Sequence, residues 1–154
     1  KKPHPKDDSP RNWKVNFEPG TIKAVGMNGG KIVANYEIRT AGKPVGIKLE
    51  THKATISNSW DDVAFVNVSV VDKNGTVVPD ADNLINFKVA GPGVIAAVDS
   101  ADINSHEPYQ ASQRRAFQGL CQVLVKANKA SGTIAVTATS DGLASARFTI
   151  RVER

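Results

Sequence analysis

The feature of this sequence that most constrains its fold is a period of two in its apolar residues, which recurs from residue 12 to the C-terminus. Such alternation predicts β-strands with one buried face, because successive side chains of a strand point to opposite sides. No segment shows the 3.6-residue period of an amphipathic helix. With 40% hydrophobic and 23% charged residues, the composition is that of a globular chain. We therefore expect an all-β protein with almost no helix.

The pattern divides the chain into three segments. Residues 1–11 contain three prolines and no aliphatic residue, which predicts an extended lead-in without a core. Residues 12–44 predict a partial β domain, a three-strand meander. Residues 45–154 predict about seven strands with turn signals every 8–12 residues, which is typical of an immunoglobulin-like antiparallel β-sandwich.

Three runs of alternating residues define the meander. Asn28-Gly29-Gly30 predicts a tight hairpin turn between the second and third runs, because Asn and Gly tolerate the positive φ of such turns. The apolar positions of the runs are Trp13, Val15 and Phe17; Ile22, Ala24 and Gly26; and Ile32, Ala34, Tyr36 and Ile38.

The sandwich is expected to open with one strand over residues 47–56 and to contain one long polar loop over residues 99–116. Its strongest strand is predicted at residues 64–71, where three valines alternate with other residues. The predicted core consists of Val66, Val68, Val70, Phe87, Val89, Ile134, Val136, Phe148 and Ile150.

The net charge of +5 lies entirely in the first third of the chain. Residues 1–46 hold nine basic and four acidic residues, and residues 47–154 hold eleven of each. The lysines are scattered, with neither an arginine cluster nor interleaved aromatic residues, so we expect a solvated strand surface and no nucleic-acid partner. No apolar run approaches the roughly 20 residues of a membrane helix, and no signal-peptide pattern is present, so no membrane contact is predicted.

The search for catalytic and metal-binding groups finds no convergent set. His4, His52 and His106 lie in separate regions, and none has a second ligand at metal-binding spacing. Cys121 lies inside a predicted strand and is expected to be a packed thiol. We predict no catalytic residue, no metal and no cofactor. The aspartates are assigned to turn chemistry; they are Asp61 and Asp62, Asp80 and Asp82, and Asp99 and Asp102.

Two aromatic residues fall in predicted loops. Trp60 and Tyr109 are therefore the candidates for contact with a sugar or with a neighbouring domain. We expect Trp60 to cap one end of the sandwich.

Several runs of residues resemble a known family in the order in which they occur. Those of the sandwich are residues 61–75, 78–83, 87–93, 109–119 and 132–143. They are similar to the C-terminal immunoglobulin-like domain of glycoside hydrolase family 2, in its bacterial β-galactosidase-like members. Residues 12–44 resemble the end of the small domain that precedes it. The chain departs from the family at Asp99-Ser100-Ala101-Asp102, where Asn-Gly-Asp is usual.

The resemblance implies a non-catalytic C-terminal fragment of a larger glycosidase that acts in carbohydrate metabolism. It implies that the catalytic carboxylates lie in a barrel absent from this chain, that the parent enzyme is exported to the periplasm or cell surface, and that the rest of that enzyme is the main partner. The family has further strands upstream of the meander, so we expect an exposed sheet edge that pairs with a second copy. Two alternatives remain: a stand-alone bacterial surface or adhesive module, and a carbohydrate-binding module.

Overall fold

The computed structural model describes residues 9–129 and 131–153 and divides the chain into two units, Lys1–Thr40 and Ala41–Arg154. The described residues form eleven strands and no helix, so the predicted all-β architecture is confirmed. They contain no helix long and apolar enough to cross a membrane. The structure divides the chain after Thr40, whereas the sequence pattern placed the division after residue 44. Gly42 belongs to the second unit because its amide donates to the Asp72 carboxylate at 2.8 Å.

The first unit contains one antiparallel hairpin, β1 (Thr21–Asn28) and β2 (Lys31–Arg39). The predicted tight turn is present, with φ of 54° at Gly29 and 82° at Gly30.

The expected three-strand meander is wrong, because residues 9–20 form no strand. Trp13, Val15 and Phe17 are 54%, 66% and 80% exposed. Alternation predicts only where side chains point, whereas a strand also needs a neighbour that accepts its backbone hydrogen bonds. Pairing with β2 stops at Gly20, whose amide donates to the Thr40 hydroxyl at 3.0 Å.

The second unit is a sandwich of two sheets. One sheet has the order β3-β5-β9-β7 and the other has the order β4-β11-β10-β6-β8. All pairs are antiparallel except β4–β11, which is parallel. The strands are β3 Gly46–Glu50, β4 Thr55–Ser57, β5 Val63–Val71, β6 Leu84–Ala90, β7 Gly93–Asp99, β8 Gln113–Arg115, β9 Leu120–Ala127, β10 Gly132–Thr139 and β11 Ala146–Glu153.

The predicted single strand over residues 47–56 is two strands in different sheets. β3 pairs with β5, and β4 pairs with β11. The chain crosses between the sheets at a turn in which the Lys53 amide donates to the Thr51 hydroxyl at 3.1 Å. The apolar pattern runs through this crossing, because both strands turn their apolar side chains toward the same core.

The core lies between the two sheets, and most of its predicted members are there. The buried ones are Val66, Val68, Val70, Phe87, Ile134, Val136 and Ile150. Val89 and Phe148 are only half-buried. Both flank the fully buried Val136 in one row across β6, β10 and β11. The outer strands β8 and β4 are too short to cover that row, since they pair only with the first residues of β6 and the last residues of β11.

Candidate functional site

The segment between β7 and β9, predicted as one polar loop, contains the short strand β8 and a buried arginine. β8 pairs with β6, and it places Arg114 opposite Ile85. The Arg114 side chain is 1% exposed, although the residues beside it are exposed. A buried guanidinium needs partners for its donors, because the loss of hydration is otherwise uncompensated.

The partners of Arg114 come from the end of β7 and from the loop between β7 and β8. Its Nε donates to the Ser100 hydroxyl at 3.1 Å, and one terminal nitrogen donates to the Glu107 backbone carbonyl at 3.0 Å. The other terminal nitrogen lies 3.5 Å from the Asp99 carboxylate. The guanidinium also lies over the Tyr109 ring, 5.4 Å from its centroid. Arg114 therefore fastens both ends of this loop to the sandwich.

Glu107 extends the network around Arg114. Its Oε2 lies 3.8 Å from the Arg114 Nε, and its carboxylate accepts the Arg115 amide at 3.3 Å. The Arg115 side chain in turn donates to the Asp82 carbonyl at 2.9 Å. Sequence reasoning missed this network because the run Gln-Arg-Arg carries no apolar residue. The one signal of this network in the sequence is the pair of arginines at positions 114 and 115, between the polar loop and Ala116-Phe117.

The single cysteine lies beside this network. Cys121 is buried, and burial raises its pKa to about 12. The nearby Arg114 charge lowers that pKa and the Glu107 charge raises it, but both effects are smaller than that of burial. The thiol is therefore protonated at neutral pH and is a poor nucleophile. The prediction of a packed thiol is confirmed.

The two candidate contact aromatics lie on different connections. Trp60 lies between β4 and β5 and is 84% exposed, so the expectation that it caps the sandwich is wrong. Buried aliphatic residues fill the core between the sheets, and Trp60 is not among the side chains packed against it. Tyr109 is 62% exposed, and its carbonyl accepts the Val98 amide at 2.8 Å along the edge strand β7. Their contact with a sugar or a domain stays a prediction.

The other candidate groups do not converge. His52 and His106 are exposed, and His4 lies outside the described residues. Within residues 9–129 and 131–153, no three His, Cys, Asp or Glu side chains are grouped as metal ligands.

Several aspartates bond to nearby backbone amides, as the assignment to turn chemistry predicts. Asp62 accepts the Ser57 amide at 2.9 Å, and Asp102 accepts the Asn104 amide at 3.0 Å. These carboxylates therefore stabilise loops.

A sandwich of two sheets with these strand orders defines a β-domain of the immunoglobulin-like class. A family model described as glycoside hydrolase family 2 C-terminal domain 5 matches residues 47–149. The chain belongs to this family and corresponds to a C-terminal region of a family 2 enzyme. Residues 1–34 match a second model, described as a domain of unknown function.

Individual relatives agree with the family match. The chain is 43% identical to a beta-galactosidase of Bacteroides ovatus, over 92% of the chain and 17% of that protein. The chain is similar to the solved structure of a beta-glycosidase from Bacteroides vulgatus, with a TM-score of 0.86 and 32% sequence identity. The match covers 91% of this chain and 18% of the glycosidase chain. This chain is also similar to the solved structure of a family 2 member from Bacteroides cellulosilyticus, with a TM-score of 0.85 and 30% identity. That match covers 92% of this chain and 18% of the other chain. The chain thus spans less than a fifth of each.

Proposed function

We propose that this chain is the C-terminal accessory segment of an exported glycosidase that hydrolyses β-galactosides. The observation that carries the proposal is the 43% identity to a beta-galactosidase, which extends over 92% of this chain but only 17% of that protein. The sugar specificity and the export come from the resemblance to β-galactosidase-like members of the family. The alignments cover the C-terminal domain and not the catalytic barrel, so the chain alone is non-catalytic.

The carboxylates of the second unit support a structural role. Glycoside hydrolysis requires two carboxyl groups about 5–9.5 Å apart that flank the scissile bond. Here Asp62 and Asp72 accept backbone amides in turns, and Asp99 and Glu107 bond to the loop around Arg114. A carboxylate held by its own loop is poorly placed to protonate a leaving group.

The hairpin is the surface through which the rest of the enzyme is expected to hold the first unit. One of its faces is apolar, and the other is mixed, with Lys23, Glu37 and Arg39 among its residues. Every residue of both strands is exposed. An isolated two-stranded ribbon is only marginally stable in water, so the apolar face needs a cover. The side chains of that face are Ile22, Ala24, Ala34, Tyr36 and Ile38; the register shift after Gly26 places Ile32 opposite Met27, on the other face.

The outer edges of the hairpin favour a second partner, another copy of the chain. Among the described residues, β1 and β2 pair only with each other. Each strand therefore has an outer edge with backbone donors and acceptors that can extend a sheet. A concentration-dependent dimer in sedimentation equilibrium, abolished by a proline on the outer edge of β2, would support this pairing; a monomer at all concentrations would contradict it.

The accessory role is tested in the full-length polypeptide that contains this chain. We expect hydrolysis of a chromogenic β-galactoside by that polypeptide. We also expect Tyr36→Lys to lower its melting temperature, because the lysine charge would then lie against the part of the enzyme that covers the apolar face. Lys23→Ala, on the opposite face of the hairpin, is the matched control and should leave the melting temperature unchanged.

Two results would contradict the proposal. One is a full-length polypeptide without glycosidase activity, which would favour the stand-alone surface module. The other is an equal melting temperature for the two variants, which would mean that the apolar face is not covered.

A further inference from the structure

A depression of about 330 Å³ lies on the second unit, beside the start of β9. Its walls combine polar and apolar side chains, and buried Cys121 lies in its lining. Binding sites for small molecules begin at about 300 Å³, so there is room for one ring of hexose size. The lining includes the side chains of Asn67, Asp99, Phe117, Gln118, Leu120 and Gln122.

Three of these side chains form a polar row across the outer face of the sheet. Asn67, Gln122 and Asp99 are direct neighbours on β5, β9 and β7. The Gln122 amide nitrogen donates to the Asn67 oxygen at 2.6 Å. The Asn67 nitrogen and the Gln122 oxygen have no partner among the described residues, and they offer a donor and an acceptor side by side. This arrangement suits two adjacent hydroxyl groups.

Apolar side chains form the other part of the wall. Phe117 is 41% exposed and Leu120 is 47% exposed, and both line the depression. A sugar ring presents aliphatic C–H groups on its faces and hydroxyl groups on its rim, so it can pack on a phenyl ring while its hydroxyls reach the amides.

The backbone is strained where it borders the depression. Ala101 and Gln118, with φ of 57° and 52°, are the two described non-glycine residues with positive φ, and both line it. Gln118 precedes Gly119 in the tight turn that connects Phe117 to Leu120. Glycine or asparagine is the usual choice at such a position, so glutamine is an unfavourable residue there. Strain of this kind is concentrated at ligand sites.

The charge of the site indicates which ligand it accepts. Asp99 is the charged residue in the lining, and its side chain is 45% exposed. Its Oδ1 already accepts the Ser100 and Ala101 amides, so the carboxylate is held at the rim. The same oxygen lies 3.5 Å from a terminal nitrogen of Arg114, but that guanidinium is buried, whereas the carboxylate is exposed at the rim. At the rim the carboxylate repels an anionic sugar and accepts hydroxyl groups of a neutral one.

We propose that this depression binds one neutral hexose unit of a saccharide. The side chains of Asn67, Gln118 and Gln122 bond its hydroxyls, and Phe117 packs on its ring. This role goes beyond that of an accessory segment and does not depend on it.

Heteronuclear NMR of the 154-residue chain, titrated with galactose, glucose, glucuronic acid or glycerol, tests the proposal. We expect a neutral hexose to shift the amides of residues 67, 99–101 and 117–122, and glucuronic acid to bind about tenfold more weakly. Gln118→Gly removes the side chain and relieves the backbone strain. It should unfold at a higher denaturant concentration than the parent chain and lose about tenfold in hexose affinity. Asn86→Ala removes an exposed amide side chain on β6, in the other sheet and outside the lining, so it is the matched control and should retain binding.

Several results would overturn the proposal. They are the absence of shifts with both hexoses, shifts that map to Trp60 or Tyr109 instead, glycerol shifts equal to those of a hexose, and unchanged affinity in Gln118→Gly. The stability of Gln118→Gly shows separately whether the variant is folded.

Discussion

At the scale of single residues, Arg114 has the largest structural role outside the apolar core. Replacement by methionine keeps most of the side-chain volume but leaves Ser100, Glu107 and Asp99 without the donors that they now bond. We expect Arg114→Met to lower the free energy of unfolding by about 3–5 kcal/mol, as is usual when one partner of a buried charged network is removed. Urea titration measures the loss.

A matched control is Arg151→Met, since that side chain is 72% exposed and its ion pair with Glu153 is solvated. This variant should unfold at the same urea concentration as the parent chain. Equal losses for the two arginines would show that the Arg114 network does not stabilise the loop.

Asp72 gives the second unit a dependence on pH. Its carboxylate accepts three backbone amides, from Gly42 at 2.8 Å, Asn74 at 2.8 Å and Thr76 at 2.9 Å. These bonds, with that of Gly42 first, hold its pKa below the ordinary value of 3.8. The folded-state pKa is lowered, so the stabilisation by ionised Asp72 is complete above the ordinary pKa of 3.8. It is lost as the pH falls from there through the folded-state pKa.

We therefore expect Asp72→Asn to be less stable than the parent chain at neutral pH, with a difference that shrinks in acid. Denaturant titrations at a series of pH values measure that difference. A difference that stays constant as the pH falls well below 3.8 would show that ionised Asp72 does not stabilise the fold.

Residue roles that depend on nearby backbone were predictable, and those that depend on distant contacts were not. Turn aspartates such as Asp62 bond within a few residues, so composition and spacing indicate them. Arg114 is buried because groups up to 15 residues away in sequence accept its hydrogen bonds. The exposure of Trp60 depends on the core being filled by other residues, which its own loop sequence does not indicate.

At the scale of elements, the strongest of the strands with an apolar face was predicted nearly to the residue. The prediction of residues 64–71 corresponds to β5, Val63–Val71. β8 has no apolar residue and was missed. The run around Trp13 alternates but forms no strand, since alternation does not provide a hydrogen-bonding neighbour. The sheet to which a strand belongs depends on contacts that are distant in sequence. The pattern therefore could not show that β3 and β4 lie in different sheets.

Two phenylalanines of the five-stranded sheet test how far its core extends. Phe87 on β6 is 6% exposed, whereas Phe148 on β11 is half-buried. We expect Phe87→Ala to lower the free energy of unfolding by about 3–5 kcal/mol and Phe148→Ala by about half as much, because the loss follows the apolar area buried. Denaturant titration compares them. A larger loss at Phe148 would place the centre of the core nearer β11.

At the scale of the whole molecule, the two units are expected to differ in local stability. The hairpin has no buried residue, whereas β5 and β10 lie in sheets with a common core. We therefore expect amides of residues 21–39 to exchange with solvent well before those of residues 63–71 and 132–139. Hydrogen exchange in dilute solution measures this order. Equal protection of both regions would show that the hairpin needs no cover.

The most direct test of the central claim is the turnover of a chromogenic β-galactoside by the purified 154-residue chain, beside the full-length polypeptide. We expect none for the chain, because the relatives match it outside their catalytic barrel, and we expect turnover for the full-length polypeptide. Activity that purifies with the chain and is lost in Glu107→Gln would contradict the claim that this chain is a non-catalytic part of a family 2 glycosidase.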